Sequence, residues 1–141
     1  MVLSSELAFY NDCSEIWISC FDSVIFPLIE ELVKINGVEE SRRRAFALLC
    51  RLFLHNSATI MHSAELLNFW PRYLTCIKKH VQVSDQDLRE AARESLKNLF
   101  LVLHTHELIN DSTGPGEVIW TQTWKELDTM FPNFKQEIFP S

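Results

Sequence analysis

The chain has 141 residues, 47% of them hydrophobic, with three glycines, five prolines and a net charge of −6. That length and apolar content exclude disorder and suit one domain burying about 68–70% of its unfolded surface. The acidic balance argues against a nucleic-acid surface, which needs a basic footprint, and against unspecific adhesion to anionic lipid.

The opening MVLSSELAFY lacks the charged and apolar regions of a secretory signal, and no apolar run approaches the ~18 residues of a membrane span. A soluble, intracellular chain is expected. From 16 to 33, Ile16, Trp17, Cys20, Phe21, Val24, Ile25, Leu28, Ile29, Leu32 and Val33 come in adjacent pairs. This spacing predicts a helix over 14–34 with one broad apolar stripe, kinked or broken at Pro27. Asn36-Gly37 ends it.

A second helix is expected over 39–55, with Ala45, Leu48, Leu49, Leu52 and Phe53 inward and Glu39, Glu40, Arg42 and Arg43 mostly wet. A third covers 63–81, burying Leu66, Leu67, Phe69, Trp70, Tyr73, Leu74 and Ile77, with Pro71 as a second interruption. Ser84 and Asp87 read as a short capping box opening a fourth helix, with Leu88, Ala92, Ser95, Leu96, Leu99, Phe100 and Leu103 inward. NDSTGPGE at 110–117 reads as a loop. Ile119, Trp120, Thr123, Trp124 and Leu127 mark a fifth helix, which Pro132 ends before a short tail helix with Phe134 and Ile138.

No useful β-alternation appears. The fold class is all-α: stacked antiparallel helical hairpins, HEAT- or armadillo-like, of about five to seven helices in a single domain over 1–141.

Little chemistry is on offer. Cys13, Cys20, Cys50 and Cys76 show no C-x-x-C spacing and read as free thiols in a reducing compartment. His104 and His106 flank Thr105, but residues two apart on a helix point to different faces, so a helix end explains them better than a metal. A small metal-dependent enzyme would rest on those two residues alone. His55 and His62 read as surface residues. No P-loop, GxGxxG or GxSxG motif is present, and neither catalytic residues nor a cofactor or metal is expected. The candidate interaction surface is Arg42, Arg43 and Arg44 with Lys78 and Lys79. Its competing explanations are local pairing with Glu39 and Glu40, and, for Lys78-Lys79-His80, cations at a helix end.

The stretches CFDSVIFPLIEEL at 20–32, EESRRRAFALLCRLFLHN at 39–56, ESLKNLFLVL at 94–103 and IWTQTWKELDTMFPNFKQEIF at 119–139 add a further signal. Together they resemble the C-terminal region of the large Golgi Arf guanine-nucleotide exchange factors of the brefeldin A-resistance type. The most specific part is a W-x-x-T-W frame followed by a proline and an acidic-aliphatic-Phe ending. Here those are Trp120, Thr123, Trp124, Pro132, Glu137, Ile138 and Phe139, with Pro27 upstream. Leu127 and Met130-Phe131 depart from the pattern conservatively, and 57–83 match loosely.

The resemblance implies a helical "homology downstream" module, an excised piece of a much longer protein, without the exchange domain and its glutamate finger. It implies a cytoplasmic protein, peripheral on Golgi membranes, that supports recruitment and regulation of Arf activation. Its partners would be other domains of the same factor, Golgi-membrane proteins and phospholipid. A second reading is a lipid-binding module inserting the arginines of 39–55 or the tryptophans of the last helix. The spacing of Trp120 and Trp124, one turn apart, instead predicts a terminal cap over the core.

Overall fold

The computed structural model describes residues 14–109 and 115–139, and these are helical apart from short connections. We label the helices α1 (14–20), α2 (Phe26–Val33), α3 (Glu39–His55), α4 (Ser57–Met61), α5 (Leu66–Gln82), α6 (Gln86–Thr105), α7 (Pro115–Met130) and α8 (Phe134–Ile138). They form hairpins α2/α3, α5/α6 and α7/α8. In one layer α5 packs between α2 and α7, and in the other α6 packs between α3 and α8. The expected stack of hairpins is the observed architecture. Cys13 and residues 110–114 lie outside the described residues.

The first helical segment departs from the expected stripe. Between α1 and α2, Phe21–Ile25 forms a π turn, in which the Phe26 N–H donates to the Phe21 carbonyl. Pro27 follows at once, and a proline ring in regular α geometry would collide with the carbonyl four residues earlier. The wider turn relieves that conflict, so the helix bulges rather than breaks. It also brings Phe21 and Phe26, five residues apart, onto one face. Both are buried against Phe69, with ring centroids 5.6 and 5.8 Å from it. The adjacent-pair stripe therefore fails on one side: Ile16, Val24 and Leu28 are exposed, while Ile18 and Phe26 are buried.

Gly37, at φ 80°, makes the left-handed turn into α3. A helix not foreseen, α4, follows Asn56, whose Nδ2 donates to the Leu52 carbonyl at 2.9 Å. Pro71 does not interrupt α5, although the helix lacks one N–H donor there. Leu67, expected inside, faces solvent. The cap of α6 is Asp85 rather than Ser84, its Oδ1 accepting from the Leu88 N–H at 2.9 Å. Ser84 caps the other helix, donating to the His80 carbonyl at 2.6 Å. At the end of α6, Glu107 takes a positive φ of 58° and the Leu108 N–H reaches the Leu103 carbonyl at 2.8 Å. This is a Schellman closure with glutamate where glycine is usual. Helix α7 starts at Pro115, inside the expected loop.

A row of aromatic rings joins the hairpins. Phe21, Phe53 and Phe69 surround Tyr73, which stacks on Trp70 at 5.6 Å. Trp70 meets Phe100 edge-on, and Phe100 meets Trp124 at 5.4 Å. Each such pair adds about 0.5–1.5 kcal/mol beyond area burial. In the middle, the buried Trp70 indole N–H donates to the Thr123 hydroxyl at 2.8 Å, which donates in turn to the Ile119 carbonyl at 2.6 Å. This ties α5 to α7 with every polar atom in the pair satisfied.

Replacing Thr123 with Val keeps its volume and removes the acceptor, leaving a buried indole N–H unpaired. Urea unfolding should show a loss of about 1–3 kcal/mol, and Thr123→Ser should recover most of it.

Candidate functional site

The candidate basic surface divides into three. Arg42 leaves it altogether: only 6% exposed, it turns inward beneath the end of α2. Its Nε donates to the Leu32 carbonyl at 2.9 Å and its Nη2 to Val33 at 3.4 Å and to Ile35, while Nη1 reaches Val83 at 3.5 Å. A guanidinium here satisfies carbonyls that a helix end leaves unpaired and suits the dipole. The expectation that Arg42 stays wet is overturned because one fork of donors reaches the ends of α2 and α5 together. Arg43 and Arg44 remain outside and share Glu40, at 3.7 and 3.3 Å. Lys78 and Lys79 diverge: Lys78 lies 3.9 Å from Glu126 of α7, and Lys79 2.8 Å from Glu30 of α2.

His80 is not a cation at a helix end. It is 2% exposed and stacks on Phe46 at 4.3 Å. Burial, with the Arg42 charge adding to it, lowers its pKa to about 4. Nucleophilic chemistry has no support among the buried thiols. Burial first, then Cys76, pushes Cys50 up to about 12, and burial, then Glu30, does the same to Cys76. Cys20 is half-buried and free. Among the described residues no three His, Cys, Asp or Glu side chains converge on a metal position.

What the fold does assemble is a groove of about 410 Å³ between α2 and α5. Phe26, Pro27 and Pro71 make its apolar part. Two ion pairs between neighbouring helices of this layer flank them. Arg72 grips Asp22 with two bonds, Nε–Oδ1 at 3.0 Å and Nη2–Oδ2 at 2.9 Å, and Lys79 holds Glu30. The π turn places Asp22 and Phe26 on the α5 side, so Pro27 shapes this groove as well as the helix. Lys79 and Pro27 were candidates from sequence. Asp22, Glu30, Pro71 and Arg72 were not, because partners 49 or 50 residues apart leave no local pattern. A smaller groove, about 300 Å³, lies beside Pro132 and is lined by Arg89, Arg93 and Phe131. Its arginines are engaged: Arg89 donates to the Met130 carbonyl at 2.9 Å and Arg93 pairs with Glu137.

The signature residues close the far end of the stack. Thr123 is the buried acceptor described above. Trp124 is 5% exposed and meets Trp120 and Phe139 edge-on at 5.4 and 5.7 Å. Among the described residues its Nε1 has no hydrogen-bond partner, and the ring is held by packing. Half-buried Trp120 stacks with Phe139 at 5.8 Å and carries the Lys135 ammonium over its face at 5.2 Å. His104, exposed at the end of α6, joins this cluster with its ring 4.6 Å from Phe139. The W-x-x-T-W frame thus packs as a cap, with Pro132 and left-handed Asn133 turning the chain into α8.

Comparison with known proteins then places the chain in a family. The sequence model of the family described as GBF1-like, tetratrico peptide repeat region, matches residues 1–134. The chain belongs to this family. Over 144 residues it is 28% identical to the ARF guanine-nucleotide exchange factor GNOM of Arabidopsis thaliana, covering 92% of the chain and 10% of the relative. It is 27% identical to the Golgi-specific brefeldin A-resistance guanine nucleotide exchange factor 1 homolog of Caenorhabditis elegans, over 89% of the chain and 6% of the relative. With GNL2 of Arabidopsis thaliana the identity is 26%, over 87% of the chain and 10% of the relative. The chain therefore matches a tenth or less of these exchange factors. No solved structure matches it. The family description calls the stacked helices tetratricopeptide repeats, where the sequence alone suggested HEAT or armadillo units. Among the described residues no helix is long and apolar enough to cross a membrane.

Two outcomes follow from this geometry. Arg42→Met should cost about 2–4 kcal/mol in urea unfolding, because several carbonyls lose a charged donor, whereas Arg43→Ala and Arg44→Ala should stay within about 0.5 kcal/mol. For His80 the folded pKa of about 4 lies below the ordinary value of 6.5. The unfolded chain then binds the extra proton between these values, so this contribution is complete above pH 6.5 and is lost as pH falls towards 4. His80→Phe should flatten the wild-type decline between pH 6.5 and 5, read as unfolding free energy against pH.

Proposed function

We propose that this chain is a non-catalytic interaction and regulatory module of a large Arf guanine-nucleotide exchange factor, acting in membrane recruitment and control of Arf activation in Golgi traffic. The observation that carries it is the family match over residues 1–134 combined with the small share of each relative that the chain covers. The structure supports the same reading chemically. Its buried thiols and buried histidine are held uncharged, and its α2–α5 groove is lined by charges already paired across two helices. Such a surface suits protein recognition, in which fixed charges set register and partner choice. Its partners are then other domains of the same factor and proteins at Golgi membranes, and the chain is cytoplasmic and peripheral there.

Insertion into lipid is the weaker alternative. Trp124 is committed to the core, Trp120 is covered by Phe139 and Lys135, and Arg42 is turned inward. Little of either candidate helix remains free to enter an interface.

The purified chain, added to Arf loaded with a fluorescent GDP analogue, should leave the rate of nucleotide release unchanged while showing a helical circular dichroism spectrum. Acceleration of release by the chain alone would overturn the proposal.

A further inference from the structure

Between Glu40 and Glu65 this acidic chain contains no Asp or Glu. Residues 41–64 carry Arg42, Arg43, Arg44, Arg51, His55 and His62 instead, against a net charge of −6 for the whole. The fold sorts these cations. Arg42 is spent inside, on the carbonyls at the ends of α2 and α5. Around α3, at about 100° per residue, Ala45, Leu49 and Phe53 face the core. Arg44, Ala47 and Arg51 lie opposite them, within about 60° of one another, and His55 follows one turn after Arg51. Arg44 keeps 80% of its side chain exposed, and its one partner is Glu40, which it shares with Arg43. Arg51 is exposed and has no hydrogen bond or ion pair among the described residues. Neither side chain is needed to hold the fold, since an exposed pair one turn apart contributes little and Arg51 forms none.

We propose that this outer stripe of α3 docks an acidic helix of a protein partner, with Arg44 and Arg51 each taking a carboxylate. Charge complementarity selects the occupant. The two arginines stand about 10 Å apart along the helix axis, which matches carboxylates two turns apart on a helix laid alongside. Ala47 between them presents only a methyl group, so a rod can approach closely. The planar fork of arginine suits a carboxylate, which it grips with two parallel bonds. Glu40 is exposed, so exchanging its weak pair with Arg44 for a partner's carboxylate leaves no charge buried. An anionic membrane fits less well. Such surfaces recruit clusters of roughly four to eight Lys or Arg, and the net charge of −6 opposes the approach. This assignment rests on the reading of the chain as an interaction module and gives one partner its chemistry.

The probe is an alanine-based helical peptide with glutamates two turns apart, titrated into the isotope-labelled chain and followed by nuclear magnetic resonance. Signals of α3, including the side-chain Nε–H groups of Arg44 and Arg51, should shift, and the dissociation constant should rise with salt. The same peptide with lysines in place of glutamates should leave those signals where they are. Arg44→Glu with Arg51→Glu should weaken binding at least tenfold without changing the circular dichroism spectrum. If that variant melts lower than the wild type, Arg44→Gln with Arg51→Gln replaces it, and the same loss is expected. Lys125→Glu, which removes an exposed cation of α7, should bind like the wild type. No shifts in the wild type, shifts away from α3, or unchanged binding in the double variants overturns the assignment. So does flotation of the wild type with phosphatidylserine vesicles that the double variant loses, which makes lipid the occupant. Nucleotide release from Arf is not the readout, so failure here is distinct from failure of the non-catalytic reading.

Discussion

The hydrogen bond from the Trp70 indole to the Thr123 hydroxyl is the contact on which the rest of the stack depends. Trp70 sits at the centre of the aromatic row, between the Phe21–Tyr73 group of the first two hairpins and the Phe100–Trp124 group of the last. A ring of that size is buried favourably only if its one N–H finds an acceptor. Thr123 supplies it from α7, and spends its own proton on the Ile119 carbonyl of the same helix. One polar pair therefore sets how far along α5 the last hairpin docks. Trp124, one residue on, has no such bond among the described residues and is held by packing.

A second constraint operates at the opposite end. Pro27 cannot donate, and its ring forces the preceding turn to widen into π geometry. The widening sends Phe21 and Phe26 to the same side, anchors α2 against Phe69, and turns Val24 and Leu28 outward. Arg42 then locks the end of α2 by collecting its terminal carbonyls, reaching one at the end of α5 as well. The helix kink, the α2–α5 groove and the open outer face are consequences of one backbone conflict.

For a member of a family of large exchange factors, this division of labour is coherent. The residues that carry the family resemblance at the C-terminal end are spent on closing the core. The surface keeps paired charges along the α2–α5 groove and exposed Val24 and Leu28 on the opposite side of the first hairpin.

Periodicity made the helices and their order legible, since an amphipathic stripe depends only on residues three and four apart. It placed α3, α5, α6 and α7 to within a few residues, and it marked Trp124, Leu127, Phe134 and Ile138 as core. The tryptophans were legible as a cap for the same local reason. What the sequence could not reveal lies in contacts between distant segments. The burial of Arg42 and His80 depends on where the ends of α2 and α5 meet. The pairing of Asp22 with Arg72 and of Glu30 with Lys79 depends on which helices share a layer. The phase of the first stripe depends on how the chain resolves Pro27, and nothing in a 3.6-residue period announces a turn that breaks it. Local spacing determined which segments are helices and which side of most of them is apolar. Only tertiary packing decided which charges are spent inside, which are paired across the groove, and which apolar residues stay exposed, because those choices are made between residues that meet only in the fold.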